Sequence, residues 1–432
     1  MLPKKKESII KEIIMINKIK KKLFDHKTAI FIFIFFAVYN ILIVEKAEIP
    51  AIDEITYTYH IVDYTIGFCT KLLPGAIYNF LFPTTDAVVV NIYFFVLYHI
   101  FLVAVSLLLE KLLKDTPENS RMFVLILIMF FITGPSTFSG HIYRFGMLDT
   151  YWLFFTVLFV VFLKNKYLKW AVPVFFVLAL LIHVSALVSF IPFFALLVLL
   201  EASKKEKADK GTMAIFAVSV VVALGAGLYF VVNESDNIVL SRDAFLKLLE
   251  ERNISEWESY KTYYDYSIYR TSYLDEETNM GAGFSDNGGL LALLSPLIIQ
   301  IKETFAAYSS MDSYFEDSFR SVALSLPVII FLYMYAVSSL KESRNNPVRW
   351  FTWLCTLFLL PLVFISGILC SPDITRWFSH SVITLFIVVL YDIYSTGAEK
   401  LQKYLHWVRL QNIPVLTVYF LLYMSYTVDP YC

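Results

Sequence analysis

Apolar residues in this chain come in long blocks rather than in alternation. Near-continuous runs lie at about 28–44, 88–109, 121–134, 150–163, 212–232, 321–340, 350–370, 378–393 and 413–428. A helix needs about 20 apolar residues to cross a hydrocarbon layer of about 30 Å. Only a helix or a closed barrel satisfies its own backbone in lipid, so each block predicts a membrane-spanning helix. The block 170–200 is too long for one crossing and carries Pro173, His183, Ser185 and Pro192. It predicts two short helices folded back at His183–Ser185. The pattern therefore predicts an all-α polytopic membrane protein with about 11 transmembrane helices.

The polar intervals divide the chain into a basic amphipathic segment (1–27), a first transmembrane module (28–232), a loop region (233–320) and a second transmembrane module (321–432). Segment 1–27 mixes nine Lys with Ile9, Ile10, Ile13, Ile14 and Ile16. That pattern suits a helix lying on anionic headgroups. The first module holds two outer loops, 45–87 and 134–149. Asp63–Phe68 and Leu73–Ile77 predict interfacial helices rich in aromatic residues. In the loop region, Arg242–Tyr264 is amphipathic. Gly288–Ile301 is a Leu and Ile run broken by Pro296, too short to span, and predicts a helix dipping into the outer leaflet. Gly281–Gly289 between them is a hinge without phosphate-loop spacing.

Composition rules out the soluble classes. Of 432 residues, 58% are hydrophobic and 17% charged, against about 25% charged in soluble domains. Four Cys make no disulfide framework. The net charge of −1 conceals a segregation. With the N-terminus inside and spans alternating, the segments 1–27, 110–121, 164–169, 201–211, 341–349 and 394–412 hold 25 of the 36 Lys and Arg. The longer outer segments hold 25 of the 37 Asp and Glu. Basic residues stay on the cytoplasmic side, so this pattern predicts an N-terminus inside and a C-terminus outside. No small-residue cleavage site follows the first apolar run. The excess of Lys, Ile, Phe and Asn suits a bacterial plasma membrane protein, and nothing in the charge pattern calls for nucleic acid.

The spans are nearly free of charge, which places the expected chemistry at their outer ends. Asp53 and Glu54 follow the first span closely. Adjacent carboxylates repel unless a cation or proton is shared. One can act as general base toward a sugar hydroxyl, or the pair can hold a divalent ion such as Mg or Mn against a phosphate; otherwise both are solvated loop acids. In Gly140–Asp149, Arg144 offers a donor fork matched to phosphate, and His141 can donate to the same group. Asp149 opens a helix, where an acid also serves as a simple cap. His183 sits at the predicted outer turn, either as a core residue or as part of the site. Arg376 and His380 lie one helical turn apart and can face one ligand, with Trp377 an interface anchor.

With these residues in view, the chain resembles the multi-spanning C-superfamily glycosyltransferases, the GT-C fold. Asp53 and Glu54 match by position the acids that these enzymes carry in the first outer loop. The phrase Arg144-Phe145-Gly146-Met147-Leu148-Asp149 matches a second Asp at the outer start of a later span. The resemblance covers roughly the first 200 residues and implies a polyprenyl-phosphate-sugar donor, a glycan or lipid acceptor, and Asp53 as base or metal ligand. Leu181-Ile182-His183-Val184-Ser185-Ala186-Leu187, with Arg144 and Arg376, also resembles the capsule and exopolysaccharide polymerases. In that family arginines bind lipid pyrophosphate without a metal. Both resemblances imply outer-face sugar transfer from a lipid-linked donor. A lipid or glycan transporter is the third reading; it needs polar groups at mid-depth, where the spans offer little beyond His99.

Overall fold

The computed structural model describes residues 26–43, 57, 59–60, 62–68, 70–82, 86–116, 118–133, 147–204, 207–233, 247, 312–370, 374–396 and 418–419. Its helices are α1 (Lys27–Ile43), α2 (Leu73–Leu81), α3 (Ala87–Asp115), α4 (Glu118–Thr133), α5 (Leu148–Lys164), α6 (Val172–Ile182), α7 (Phe190–Ala202), α8 (Lys210–Asn233), α9 (Asp312–Glu342), α10 (Pro347–Cys370) and α11 (Ile374–Thr396). Single 3₁₀ turns at Tyr64–Ile66, Leu168–Ala171 and Val184–Leu187 join them. No strand occurs among the described residues.

Local signals set the boundaries. The Asp86 side chain accepts the Val88 N–H at 2.7 Å and starts α3, which ends with Lys114 in its last turn. Asp63 caps the 3₁₀ turn at Tyr64–Ile66 through the Thr65 N–H. Pro74 sits in the first turn of α2, where its missing N–H costs nothing. Beside it, Gly75 is pressed against the chain: a Cβ there would lie 1.8 Å from the Val62 carbonyl oxygen. Only glycine permits that approach.

Five described helical stretches are long and apolar enough to cross a membrane: Ala87–Asp115, Ser185–Ala202, Lys210–Phe230, Ala323–Glu342 and Trp377–Thr396. Lys27–Val38, Val124–Thr133, Leu168–Ile182 and Pro347–Val363 are apolar but shorter. This is an all-α membrane-type architecture, and it falls short of the 11 crossings that the apolar blocks predict. The shortfall has a length cause: α6, at 11 residues, extends only about 16 Å at about 1.5 Å per residue. The last predicted crossing, 413–428, lies outside the described residues except for Val418 and Tyr419. Arg242–Tyr264 (save Lys247), Gly281–Gly289 and Gly288–Ile301 also lie outside them.

One apolar core runs from Ile32 in α1 to Ile393 in α11. At its centre is α7, which packs against α5, α6, α8, α10 and α11. Interlocking rings give this contact its shape, including Phe159 of α5 stacked on Phe194 of α7 at 4.4 Å. The outer faces are apolar too. On α3, Val88, Ile92, Val96 and Ile100 recur every fourth residue, each about half exposed or more. Such a stripe suits hydrocarbon and not water.

The described parts of the six basic segments gather at one end of the bundle, hereafter the basic end. His26 Nδ1 lies 2.6 Å from Glu110 Oε2 at the end of α3. Lys164 and Lys204 share Glu201, at 3.4 and 2.6 Å, and the Tyr391 hydroxyl donates to the same carboxylate. Asn346 donates to the Ser203 carbonyl at 3.0 Å. Arg349 of α10 pairs with Asp392 of α11, which also accepts from Tyr335 of α9 at 2.8 Å. The chemistry expected at the outer ends is thus only part of the picture: most ion pairs among the described residues are at the basic end.

Lys169 pairs with Asp209 at 3.2 Å, which joins the two flanks of the 168–204 hairpin directly. The hydrogen bond from the Thr212 hydroxyl, then that from Lys169, hold the Asp209 carboxyl down to about 2. A carboxylate depressed in the folded state stabilises it above its ordinary value and loses that effect as pH falls through the folded one. Wild type and Asp209→Asn should therefore differ in thermal midpoint above about pH 4 and converge as pH falls toward 2. A constant difference down to pH 2 would contradict this.

Candidate functional site

The far end of the bundle brings together three of the residues singled out in the sequence. Asp149 lies in the first turn of α5, His183 at the break between α6 and α7, and His380 in the second turn of α11. Asp149 is not the helix cap. Met147 holds that position with extended backbone and no side-chain cap. The Asp149 carboxylate points instead to the neighbouring helix, with Oδ2 3.2 Å from His380 Nε2. Both side chains are almost fully withdrawn from solvent, at 0% and 1% exposure.

Three aromatic rings meet the His380 imidazole edge-on: Trp377 at 5.6 Å, Phe190 at 5.7 Å and Trp152 at 5.8 Å. Trp377 is buried at 7% exposure and walls the histidine, not only the interface. The spacing from Trp377 to His380 is i to i+3, which places both on one helix face. Trp152 is held by its indole N–H, which donates to the Ala179 carbonyl at 3.0 Å. The same indole meets the His183 ring edge-on at 6.4 Å.

His183 has an architectural task. Its backbone is extended, and Nδ1 accepts the Ser185 N–H at 3.0 Å, capping the turn that reverses the chain. The half-buried His183 thus serves the turn as its cap. The turn is braced from the first loop, where the Lys71 N–H donates to the Leu181 carbonyl at 2.9 Å. Lys71 adopts a positive φ of 73° to do so. His60, not singled out in the sequence, is buried nearby against Phe94 and Tyr151, at 5.5 and 5.7 Å. An aromatic-rich Tyr57-Thr58-Tyr59-His60 stretch was the available signal.

Asp53, Glu54, His141 and Arg144 lie outside the described residues, as does the side chain of Arg376, whose backbone is in the first turn of α11. Among the described residues no group of three His, Cys, Asp or Glu could hold a metal ion. The divalent-ion reading rests on Asp53 and Glu54, outside that set.

An Asp–His pair inside aromatic walls has definite chemistry. The carboxylate faces the Nε2 side of the ring at 3.2 Å and is the counter-charge nearest to it among the ion pairs of the described residues. The surrounding rings supply little competing polarity, so the carboxylate dominates the local field. Structurally, the same pair fastens α5 to α11. No protein-family model, curated protein or solved structure matches this chain.

Proposed function

We propose that this protein is an integral-membrane glycosyltransferase of the bacterial plasma membrane. It would move a sugar from a polyprenyl-phosphate-linked donor to a glycan or lipid acceptor at the extracytoplasmic face. In this reading the far end of the bundle faces outward, the basic end faces the cytoplasm, and the remaining apolar blocks complete a polytopic GT-C-like topology of about 11 crossings. The observation that carries the proposal is the Asp149–His380 pair, buried and walled by aromatic rings at the end opposite the basic segments.

The proposed chemistry is a displacement at the anomeric carbon. The acceptor hydroxyl oxygen forms the new bond, and the bond from that carbon to the phosphate oxygen breaks with its electron pair leaving on phosphate. His380 takes the hydroxyl proton, and Asp149 balances the resulting imidazolium. Asp53 and Glu54 are the competing base, or the holders of a divalent cation. Arg144, His141 and Arg376 are the proposed phosphate contacts. Because both members of the pair are closed to solvent, the acceptor must displace part of the aromatic wall, and Trp377 in the first helical turn is the natural place.

The test compares by mass the surface glycans of cells with and without the gene, complemented by wild type or by His380→Gln. Loss of one sugar from otherwise full-length chains, unrestored by His380→Gln, supports the transferase. Chains reduced to single repeat units would assign polymerisation instead and move the central role to Arg144 and Arg376. An unchanged profile would overturn both and favour transport.

A further inference from the structure

A second feature lies at the basic end, away from Asp149 and His380. Between α3, α5 and α11 is a partly open cavity of about 110 Å³. Its walls are apolar, with Phe101 and Leu109 from α3, Val160 from α5 and Leu390 from α11 among them. The one hydroxyl in its walls outside the tyrosines, Thr156, donates to the Trp152 carbonyl at 2.8 Å, so it offers water little. Apolar cavities of this order stay dry and accept hydrocarbon.

Two tyrosines, Tyr391 and Tyr394, close the cavity at its basic-end rim. Lys111 Nζ lies 5.2 Å from the centre of the Tyr394 ring, and Lys164 Nζ lies 4.5 Å from the centres of both rings. By formal charge the neighbouring groups leave one excess lysine, and burial pushes the Lys164 amine down to about 7, so an anion beside it would restore its charge. Lys164 and Lys204 face one carboxylate, Glu201. Lys114 pairs with Glu110, and Asp115 is the acid beside Lys111. A dry slot for a hydrocarbon chain thus ends at a cationic rim, at the level where helices meet headgroups.

We propose that this cavity takes the headgroup-proximal methylenes of one acyl chain of an anionic phospholipid, the rest of the chain running out through its open side and the phosphate meeting Lys111 and Lys164 at the rim. Charge complementarity selects the headgroup, with Lys111 and Lys164 both standing at the rim. The site is independent of the sugar-transfer reading and stands if that reading fails.

The experiment uses the full chain in nanodiscs of phosphatidylcholine doped with phosphatidylglycerol and measures immobilised spin-labelled lipid of each kind. Wild type is expected to immobilise phosphatidylglycerol preferentially. Lys111→Gln should lower that preference about fivefold, and Lys111→Arg should keep it. Val160→Phe, which fills the slot and leaves both lysines, should remove the immobilised fraction. Thermal midpoints measured alongside confirm that each variant is folded. Equal retention of the two lipids by wild type overturns the proposal, as does unchanged selectivity in Lys111→Gln or unchanged immobilisation in Val160→Phe. Selectivity that emerges only when residues 1–25 are deleted would overturn it too, by assigning the slot to that segment.

Discussion

His380→Ala should destabilise the protein by about 3–5 kcal/mol, because it removes the imidazole facing the buried Asp149 carboxylate and empties the space between Trp152, Phe190 and Trp377. The thermal midpoint in detergent reads this directly. His380→Ala combined with Asp149→Leu removes the carboxylate as well, and the stability it recovers measures the share of the cost carried by charge rather than by the lost ring. His380→Gln separates architecture from chemistry. Its amide can donate to Asp149 and fill similar space, so the protein should fold. It cannot take a proton, so transfer should fall by about 10²–10⁴-fold. Full activity in a folded His380→Gln would remove the histidine from the proposed chemistry and leave it as a clamp between α5 and α11.

Asp392→Ala should cost a similar amount, about 3–5 kcal/mol, for a different set of partners. Asp392 is fully buried and holds both Arg349 of α10 and the Tyr335 hydroxyl of α9. Removing it strands a guanidinium that is only 8% exposed. Arg349→Met alone takes the guanidinium from a buried carboxylate that keeps the Tyr335 hydroxyl, and the double replacement Arg349→Met with Asp392→Leu removes both charges. The double variant should therefore be more stable than either single one, and a double-mutant cycle measures the coupling. Additive losses would mean that the two side chains do not depend on each other. Neither variant touches the Asp149–His380 pair, so transfer by the folded double variant should persist.

Much of the architecture was legible in the sequence because apolar block length and charge segregation are coarse signals. Each described block is helical, and the break at His183–Ser185 was signalled by two polar residues inside an otherwise apolar run. The gathering of Lys164, Lys204, Arg349 and the end of α11 at one end follows from alternating the spans so that basic segments share a side. Block counting was less reliable as a count of crossings, since an apolar run does not reveal where a helix will end. In the site, Asp149, His183 and His380 lie near one another around Trp152. Their arrangement was not legible, because the Asp149–His380 contact joins positions 231 residues apart and depends on Trp152, Phe190 and Trp377 packing into a wall. The buried acids Glu110 and Asp392 and the half-buried Glu201 are illegible for a related reason. Each sits within a turn or two of a helix terminus, where acids are ordinarily read as solvated.

The join between Lys169 and Asp209 has a consequence for how the protein is built into its membrane. Neither arm of the 168–204 hairpin carries a charge between Val172 and Leu200, and both flanks belong to the same end of the bundle. During synthesis the two arms can therefore enter lipid together, with only the His183–Ser189 turn leading and no long polar segment carried across. Because the Ser185 N–H is already bonded to His183 within that turn, part of its desolvation is settled locally before the neighbouring helices arrive. α7 then stands in place as the post against which α10 and α11, made much later, can dock.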